Sequence, residues 1–298
     1  MSAGAPAANL AARFGVSPSR RRKDRVARGA ILAATILALI PLVLIVYYLL
    51  KKGLGAWSSD FFTTDPTGNT FFRNSNIGGV KSAILGTVEM VGLASAIAIP
   101  LGVGVAVWLV EYGKSGWYAK TVRFFVDVLT GVPSIVFGLF IYIVLIIGTG
   151  SSFAGYKGSL ALSLLMLPVV IRSAEVILVL VPAGLRESAL ALGAPRWRVI
   201  LRIVLPTALP GMITGVLLAV ARAAGETAPL LFTAGSPKQT TSDLSAFMNS
   251  LPVQIYNDVT SPTTAVVNRA WGAALTLVTL ILLLNLIARL ISRRSRLA

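Results

Sequence analysis

The sequence contains no cysteine and no histidine, and it has few charged residues. Without thiols the chain can form neither disulfides nor thiolate metal sites, and without imidazole it lacks the usual general base and the commonest metal ligand. Only 13% of its 298 residues are Asp, Glu, Lys or Arg. We therefore expect no catalytic residues, no metal site and no cofactor bound by this chain.

Apolar residues dominate what is present. They make up 55% of the sequence, and the mean hydropathy is +0.80, which places the chain outside the soluble range and in the membrane class. The net charge of +16 would suggest nucleic acid as the partner of a soluble protein. Here most basic residues lie in short tails and loops beside apolar runs, so we interpret them as topology signals and contacts to anionic membrane lipid, with no nucleic acid involved.

The hydropathy pattern predicts an all-α protein with six transmembrane helices. The first is the uncharged run 29–50, which is long enough to span and is followed by Lys51 and Lys52 without a small-residue cleavage site, so we interpret it as an uncleaved helix. An extracytoplasmic loop is predicted at 51–81 and a core with five further spans at 82–292. These five spans are predicted at 82–110, 124–147, 159–181, 207–228 and 270–292.

The distribution of basic residues predicts the orientation. They concentrate in an N-terminal tail at 1–28, in the connections predicted to be inside, and in a short C-terminal segment at 293–298. Under the positive-inside rule these segments are cytoplasmic, so both termini are expected inside a bacterial plasma or inner membrane.

Two features interrupt the simple pattern of spans. Gly131-Val132-Pro133-Ser134 lies inside the third predicted span and indicates a kink. The stretch LSAFMNSLPVQIY, near the end of an outer segment at 229–268, is apolar but only about a dozen residues long, too short to cross a bilayer. It is either an interfacial or re-entrant piece or an ordinary amphipathic surface helix.

A polar connection, RESALALGAPRWRVILRIVLP at 186–206, lies between two long apolar segments. Good helix formers fill 187–192, Gly193 is expected to end that helix, and Pro195 to open a second turn. Its arginines predict a cytoplasmic location. On charge alone it is also compatible with a plain solvated hairpin.

The order of residues in this connection resembles the EAA loop of membrane subunits of bacterial ABC importers, with Ser188 where Ala is usual. The resemblance implies a short helix that docks in a groove of an ATP-hydrolysing partner, which would hold the ATP and Mg. The matching positions are Glu187, Ser188, Ala189, Gly193, Leu205 and Pro206.

Six charged residues fall inside predicted spans: Glu89, Asp127, Arg172, Glu175, Arg222 and Glu226. A charge at the centre of a span costs roughly 2.5 to 3.5 kcal/mol on insertion scales, so each needs a partner or a wet cavity. The spacings of 172 to 175 and of 222 to 226 put each pair on one helix face. Structural ion pairing is the favoured interpretation for Glu89 and Asp127.

The two arginines are predicted to lie away from the membrane surfaces, roughly 20 Å from the outer end of one span and roughly 22 Å from the inner end of another. Arg172 and Arg222 would offer forked donors, matched to a tetrahedral oxyanion, at two depths. The adjacent carboxylates would keep the oxyanion from binding so tightly that release is slow.

Three segments carry a narrower resemblance: GVPSIVFGLF at 131–140, LMLPVVIRSAEV at 165–176 and AVARAAGETAPLLFTAG at 219–235. They are similar to the phosphate-specific permeases of ABC importers, from about residue 78 to the end. This resemblance implies a MetI-like fold, a homologous second permease, two ATPase subunits and an extracytoplasmic phosphate-binding protein. It also implies that Arg172, Arg222 and Glu226 lie on the phosphate path.

The sequence therefore predicts a non-catalytic permease subunit of an ATP-driven phosphate importer. Two alternatives remain open at this point. One is a permease for another oxyanion, sulfate or molybdate, and the other is a membrane component that chiefly serves phosphate sensing through a signalling regulator. An ion channel fits poorly, because a channel has no need of a loop that docks an ATPase.

Overall fold

The computed structural model describes residues 18–66, 77–113 and 115–294. Regular structure within these ranges is helical, and an isolated bridge joins Pro66 to Gly78. The predicted basic tail before residue 18, positions 67–76 of the first outer loop and the final residues 295–298 lie outside the described residues. The chain divides into two units, one up to Lys51 and one from Lys52 onward.

The first unit holds most of one long helix, α1 (Pro18–Gly53). The helix runs through the predicted span 29–50 and continues back through the basic residues before it. Arg28 and Asp24, four residues apart, form an ion pair at 2.7 Å in this basic part.

The second unit contains the remaining helices: α2 (Ser59–Thr63), α3 (Lys81–Val107), α4 (Trp117–Gly131), α5 (Ser134–Ile141), α6 (Gly155–Val179), α7 (Ala183–Ala191), α8 (Arg196–Val199), α9 (Leu205–Ala224), α10 (Ala228–Leu231), α11 (Leu251–Val259) and α12 (Thr264–Arg294). Three π-helical stretches extend this set: Trp108–Gly113 after α3, Tyr142–Ile147 after α5 and Ile200–Val204 between α8 and α9.

Five helices among the described residues are long and apolar enough to cross a membrane, and the count reaches six if α4 and α5 form one bent span. The predicted kink is therefore confirmed, but the bend of 101° is too sharp for the single continuous span predicted at 124–147. Val132 is extended (φ −72°, ψ 131°) because the ring of Pro133 disfavours a helical residue before it, and Pro133 cannot donate a backbone hydrogen bond.

Close helix contacts at glycines set the arrangement of the central bundle. A methyl group on Gly158 of α6 would lie 2.9 Å from Met90 of α3, and one on Gly102 of α3 would lie 2.7 Å from Val170 of α6. These contacts are equally spaced along both helices, so α3 and α6 run parallel. No hydrophobic driving force holds helices together inside a bilayer. Small residues let the helices approach closely, and the resulting van der Waals contacts stabilise their packing.

Helix α9 packs on α6 in the opposite direction. Gly215 lies against Ser173, and Gly211 lies against Ile177 four residues further along α6. The two helices are therefore antiparallel, and this register fixes which of their residues lie at the same level.

The predicted outer segment folds largely onto the bundle. The stretch LSAFMNSLPVQIY is helical only from Leu251, where Ser250 accepts a hydrogen bond from the amide of Val253, and Pro252 occupies the first turn, where its missing N–H has no cost. The resulting helix, α11, packs on α12 and α3 with one face buried. It is a short helix covered by protein, consistent with a segment too short to span.

Candidate functional site

The connection at 186–206 forms a helix, a turn and the start of a second helix. Helix α7 ends at Ala191 with Leu192 as its cap, and Gly193 adopts the left-handed conformation with φ +81°. The amide of Gly193 donates to the carbonyl of Leu190 and that of Ala194 donates to Ala189, the pair of bonds that closes a helix at a glycine. Pro195 then precedes the next turn. The predicted roles of Gly193 and Pro195 in the backbone are confirmed.

The predicted docking residues divide between exposed and buried positions. Glu187, Ser188 and Gly193 are exposed, whereas Ala189 is buried in a cluster with Val199 and other apolar residues. The end of the predicted loop is placed differently. Leu205 and Pro206 lie within a continuous apolar helix over 196–224, because the turn opened at Pro195 propagates through the arginines at 196, 198 and 202.

Arg186 anchors α7 to the neighbouring helices. Its Nε and Nη2 lie 2.9 Å from Oε1 of Glu111, Nη1 donates to the carbonyl of Val181 at 2.7 Å, and Nη2 donates to that of Leu178 at 2.9 Å. The side chains are only 20% and 14% exposed. The sequence indicated Arg186 only as a topology signal, because Glu111 is 75 residues away in the chain. A cavity of about 390 Å³ beside this ion pair is also lined by Glu187.

Arg172 is the centre of a four-residue charge network. Its Nε donates to Oδ1 of Asp127 at 2.8 Å, and its Nη1 donates to Oε2 of Glu175 at 2.8 Å. Arg123, which the sequence placed in a loop, donates through Nε to the other oxygen of Glu175 at 2.5 Å. The ion pairs predicted for Arg172 with Glu175 and for Asp127 are confirmed, and Arg123 is an additional member.

The second predicted pair is looser. Arg222 and Glu226 are 3.6 Å apart, with side chains 47% and 17% exposed. They were predicted to lie on one helix, but α9 ends at Ala224 and Gly225 follows it as the cap. Glu226 therefore lies beyond the helix, and Gly225, a poor helix former, lies at the point where the helix ends.

The two arginines lie at different levels of the bundle. The register between α6 and α9 places Arg222 level with Met166, six residues before Arg172. At 1.5 Å per residue this is about 9 Å along the helix axis. The structure gives each arginine its own carboxylates, and within the described part of the chain it does not join them in one ion-pair network.

Glu89 departs from its prediction. Within the described ranges it forms no ion pair, and its Oε2 is buried without a hydrogen-bond partner. The prediction of a structural ion pair for Glu89 is therefore wrong for this chain alone, since no basic side chain of the described residues pairs with it.

A further buried network lies at the predicted outer end, and the sequence did not reveal it. Arg269 donates through Nε and Nη2 to the two oxygens of Asp258, each at 2.8 Å, and through Nη1 to the carbonyl of Ile77. Gln254 donates to Asp258 at 2.9 Å and accepts from Asn249 at 2.7 Å. Asp258 and Arg269 are on different helices, α11 and α12, so helical periodicity gave no signal for their pairing.

Comparison with known proteins defines the class. Residues 98–297 match the model of the family described as binding-protein-dependent transport system inner membrane component. The chain belongs to this family of multi-pass membrane permeases. Among solved structures it is similar to the MetNI methionine ABC transporter in an inward-facing conformation (TM-score 0.61, 20% identity, 72% of this chain and 94% of that one). It is also similar to a bacterial ABC transporter involved in alginate import (TM-score 0.61, 20% identity, 92% and 96%).

At this identity the two structures show the fold, so the predicted MetI-like permease fold is confirmed.

Curated relatives are more similar in sequence. The phosphate transport system permease protein PstA of Yersinia pestis is 40% identical, with 93% of this chain and 92% of that protein covered. PstA 1 of Mycobacterium tuberculosis (strain ATCC 25618 / H37Rv) is 43% identical, with 93% and 91% covered. The resemblance to phosphate-specific permeases is thereby confirmed.

Proposed function

We propose that this chain is the transmembrane permease subunit of an ATP-driven importer of inorganic phosphate and forms half of the translocation path. The observation that carries the proposal is the presence of two partly exposed arginines, Arg172 and Arg222, at separate levels of a helical bundle whose relatives are named as phosphate permeases. A guanidinium presents a planar fork of donors that matches phosphate oxygens, and two such forks give an anion successive places to bind.

The remaining components of the importer follow from the same proposal. A homologous PstC-like permease would complete the path, and two PstB-like ATPases would bind ATP and Mg on the cytoplasmic side. A PstS-like binding protein would deliver phosphate from outside. Both termini of this chain would be cytoplasmic, the basic segments would contact anionic lipid, and a phosphate-signalling regulator would be a further partner.

Coupling to ATP would pass through α7. Exposed Glu187 and Ser188 are available to a docking groove. Arg186 ties the same helix to Glu111, in the π-helical stretch that follows α3, and to two carbonyls at the end of α6 and just beyond it. A push on α7 is therefore transmitted to helices that line the bundle. Closure of the ATPases would turn the bundle from inward-open to outward-open, phosphate would then meet the arginines, and hydrolysis would reset it.

The proposal is tested by ATP-driven uptake of radiolabelled phosphate into proteoliposomes that hold the chain with its partner subunits. We expect uptake that excess sulfate or molybdate leaves unchanged. Competition by either anion would move the substrate to another oxyanion, and absence of uptake by a fully assembled complex would favour a signalling role.

The docking role of α7 is tested separately. Glu187→Arg and Gly193→Glu are each expected to reduce both ATPase association and uptake, the first by reversing an exposed charge and the second by placing a side chain where φ is +81°. Intact association and uptake in both variants would contradict the lever mechanism.

A further inference from the structure

Asp127 occupies the part of Arg172 that an incoming phosphate would need. Its Oδ1 accepts from Nε of Arg172 at 2.8 Å and also forms an ion pair with Nη2. Nε and Nη2 form the forked edge with which arginine binds a carboxylate or a phosphate through parallel hydrogen bonds. The third nitrogen, Nη1, donates to Glu175 instead.

The two carboxylates differ in exposure. The side chain of Glu175 is 10% exposed and is held between Arg172 and Arg123, whereas the side chain of Asp127 is 61% exposed. Glu175 is therefore a fixed counter-ion that orients the guanidinium, and its removal would leave two partly buried guanidinium groups with one carboxylate between them. Asp127 is bound from the accessible side and can leave without uncovering a buried group.

The network is also self-neutral, with two guanidinium groups and two carboxylates. An anion that bound to Arg172 while Asp127 stayed in place would add negative charge next to a carboxylate, and like charges at such distances are unfavourable. When Asp127 leaves, the network carries one net positive charge and an open fork, which is the arrangement that an anion requires.

The position of Asp127 in its helix gives it a way to move. It lies four residues before the end of α4, and α4 meets α5 at the 101° bend at Val132 and Pro133. Asp127 and Arg123 are four residues apart on the same face of α4. A change of angle at the bend would therefore shift Asp127 relative to Arg172 on α6.

We propose that Asp127 is an internal competitor of the transported anion: it occupies the fork of Arg172 when the path is empty, is displaced when phosphate binds, and returns to expel it. This inference rests on the proposed function. It assigns to Asp127 control of anion release, and to Arg123 and Glu175 the positioning of Arg172.

The test uses the assembled transporter without its binding protein, so that only the internal site is measured. Equilibrium binding and dissociation of radiolabelled inorganic phosphate are compared for the wild type, Asp127→Asn and Asp127→Ser, together with ATP-driven uptake. Asp127→Glu keeps the competing carboxylate. Asp24→Asn is the matched control. Asp24 also pairs with an arginine and is 60% exposed, but it lies in the first unit of the chain, which ends at Lys51.

We expect Asp127→Asn and Asp127→Ser to bind phosphate about three- to tenfold more tightly, to release it more slowly, and to turn over more slowly in uptake. Asp24→Asn should behave as the wild type, and Asp127→Glu, which keeps a competing carboxylate on a longer side chain, should lie between the wild type and Asp127→Asn. Unchanged or weaker binding in both Asp127 variants, with normal uptake by the wild type, would overturn this inference and leave the proposed function intact. Absence of phosphate uptake by the wild type would overturn both.

Discussion

Two ion pairs of the bundle, Arg269 with Asp258 and Arg222 with Glu226, use the same kinds of side chain in opposite ways. Arg269 and Asp258 are 8% and 5% exposed, and the arginine donates to both carboxylate oxygens and to a backbone carbonyl. Arg222 is 47% exposed and lies 3.6 Å from its carboxylate. The first arginine is enclosed and saturated by protein partners, while the second retains donors on an accessible surface.

This contrast separates structural from functional charge in a membrane bundle. A buried pair resists the loss of either partner because the other is left as an uncompensated charge. An exposed, loosely paired guanidinium contributes little to stability, and under the proposed function its position inside a membrane protein serves the anion that it binds. The burial and hydrogen-bond geometry of an ion pair, more than its charge, therefore determine how much stability is lost when one partner is replaced.

The largest effect on folding is expected at Arg269. Arg269→Gln leaves Asp258 buried with its ion-pair partner removed and should lower the free energy of unfolding by about 3 to 5 kcal/mol. Denaturant or thermal unfolding of the purified complex measures the loss. The double variant Arg269→Met, Asp258→Leu removes both charges and should recover much of it. If Arg269→Gln were as stable as the wild type, the contrast between the buried and the exposed ion pair would be contradicted.

An intermediate effect is expected at Arg186, which is 20% exposed. Arg186→Gln removes charged hydrogen bonds to Glu111 and to two carbonyls and should cost about 1.5 to 3 kcal/mol. Because the same bonds join α7 to α3 and α6, uptake should fall more than ATP hydrolysis does. Glu111→Gln, which leaves the carbonyl contacts in place, is expected to show a milder form of the same uncoupling. A parallel decline of hydrolysis and uptake would indicate a purely structural role.

A small effect on stability is expected at Arg222 despite its place in the bundle. Arg222→Gln should change the free energy of unfolding by about 1 kcal/mol, far less than at Arg269, because the guanidinium is 47% exposed and its contact with the less exposed Glu226 is long at 3.6 Å. The same unfolding measurement as for Arg269→Gln checks this value. A loss as large as that at Arg269 would make Arg222 a structural residue and remove the contrast.

The smallest effect is expected at the exposed pair of Asp24 and Arg28, whose side chains are 60% and 79% exposed. Asp24→Asn should change the free energy of unfolding by about 0.5 kcal/mol or less, the size typical of i,i+4 ion pairs on helix surfaces. Phosphate uptake by this variant should equal that of the wild type. A substantial loss of uptake would show that the basic part of α1 has a function of its own.

The spans were predictable from sequence because a bilayer sets a minimum apolar length, which the runs in α1, α3, α6, α9 and α12 all meet. Pro133 marked the break in the third predicted span, but the angle of 101° depends on tertiary packing. A methyl group on Gly138 of α5 would lie 2.5 Å from Pro229, so α5 is held directly against α10. Local sequence signals carry no information on such a contact.

Charged partners were predictable only where they are close in the chain. The pair of Arg172 and Glu175 follows from helical spacing, whereas Arg123 with Glu175 and Arg186 with Glu111 join residues 52 and 75 positions apart. The helix that contains the fifth predicted span begins at Arg196, ahead of the predicted start near 207, because arginine is a good helix former and the helix continues through residues 196–202.

The most direct test of the central claim is ATP-driven phosphate uptake by the assembled complex, compared between the wild type, Arg222→Gln and Arg222→Lys, with excess sulfate present or absent. The account predicts uptake that sulfate does not change. It also predicts that Arg222→Gln lowers uptake more than tenfold in a complex of normal stability, and that Arg222→Lys retains part of it. Full uptake in Arg222→Gln would contradict the claim that Arg222 binds phosphate on its way through the membrane.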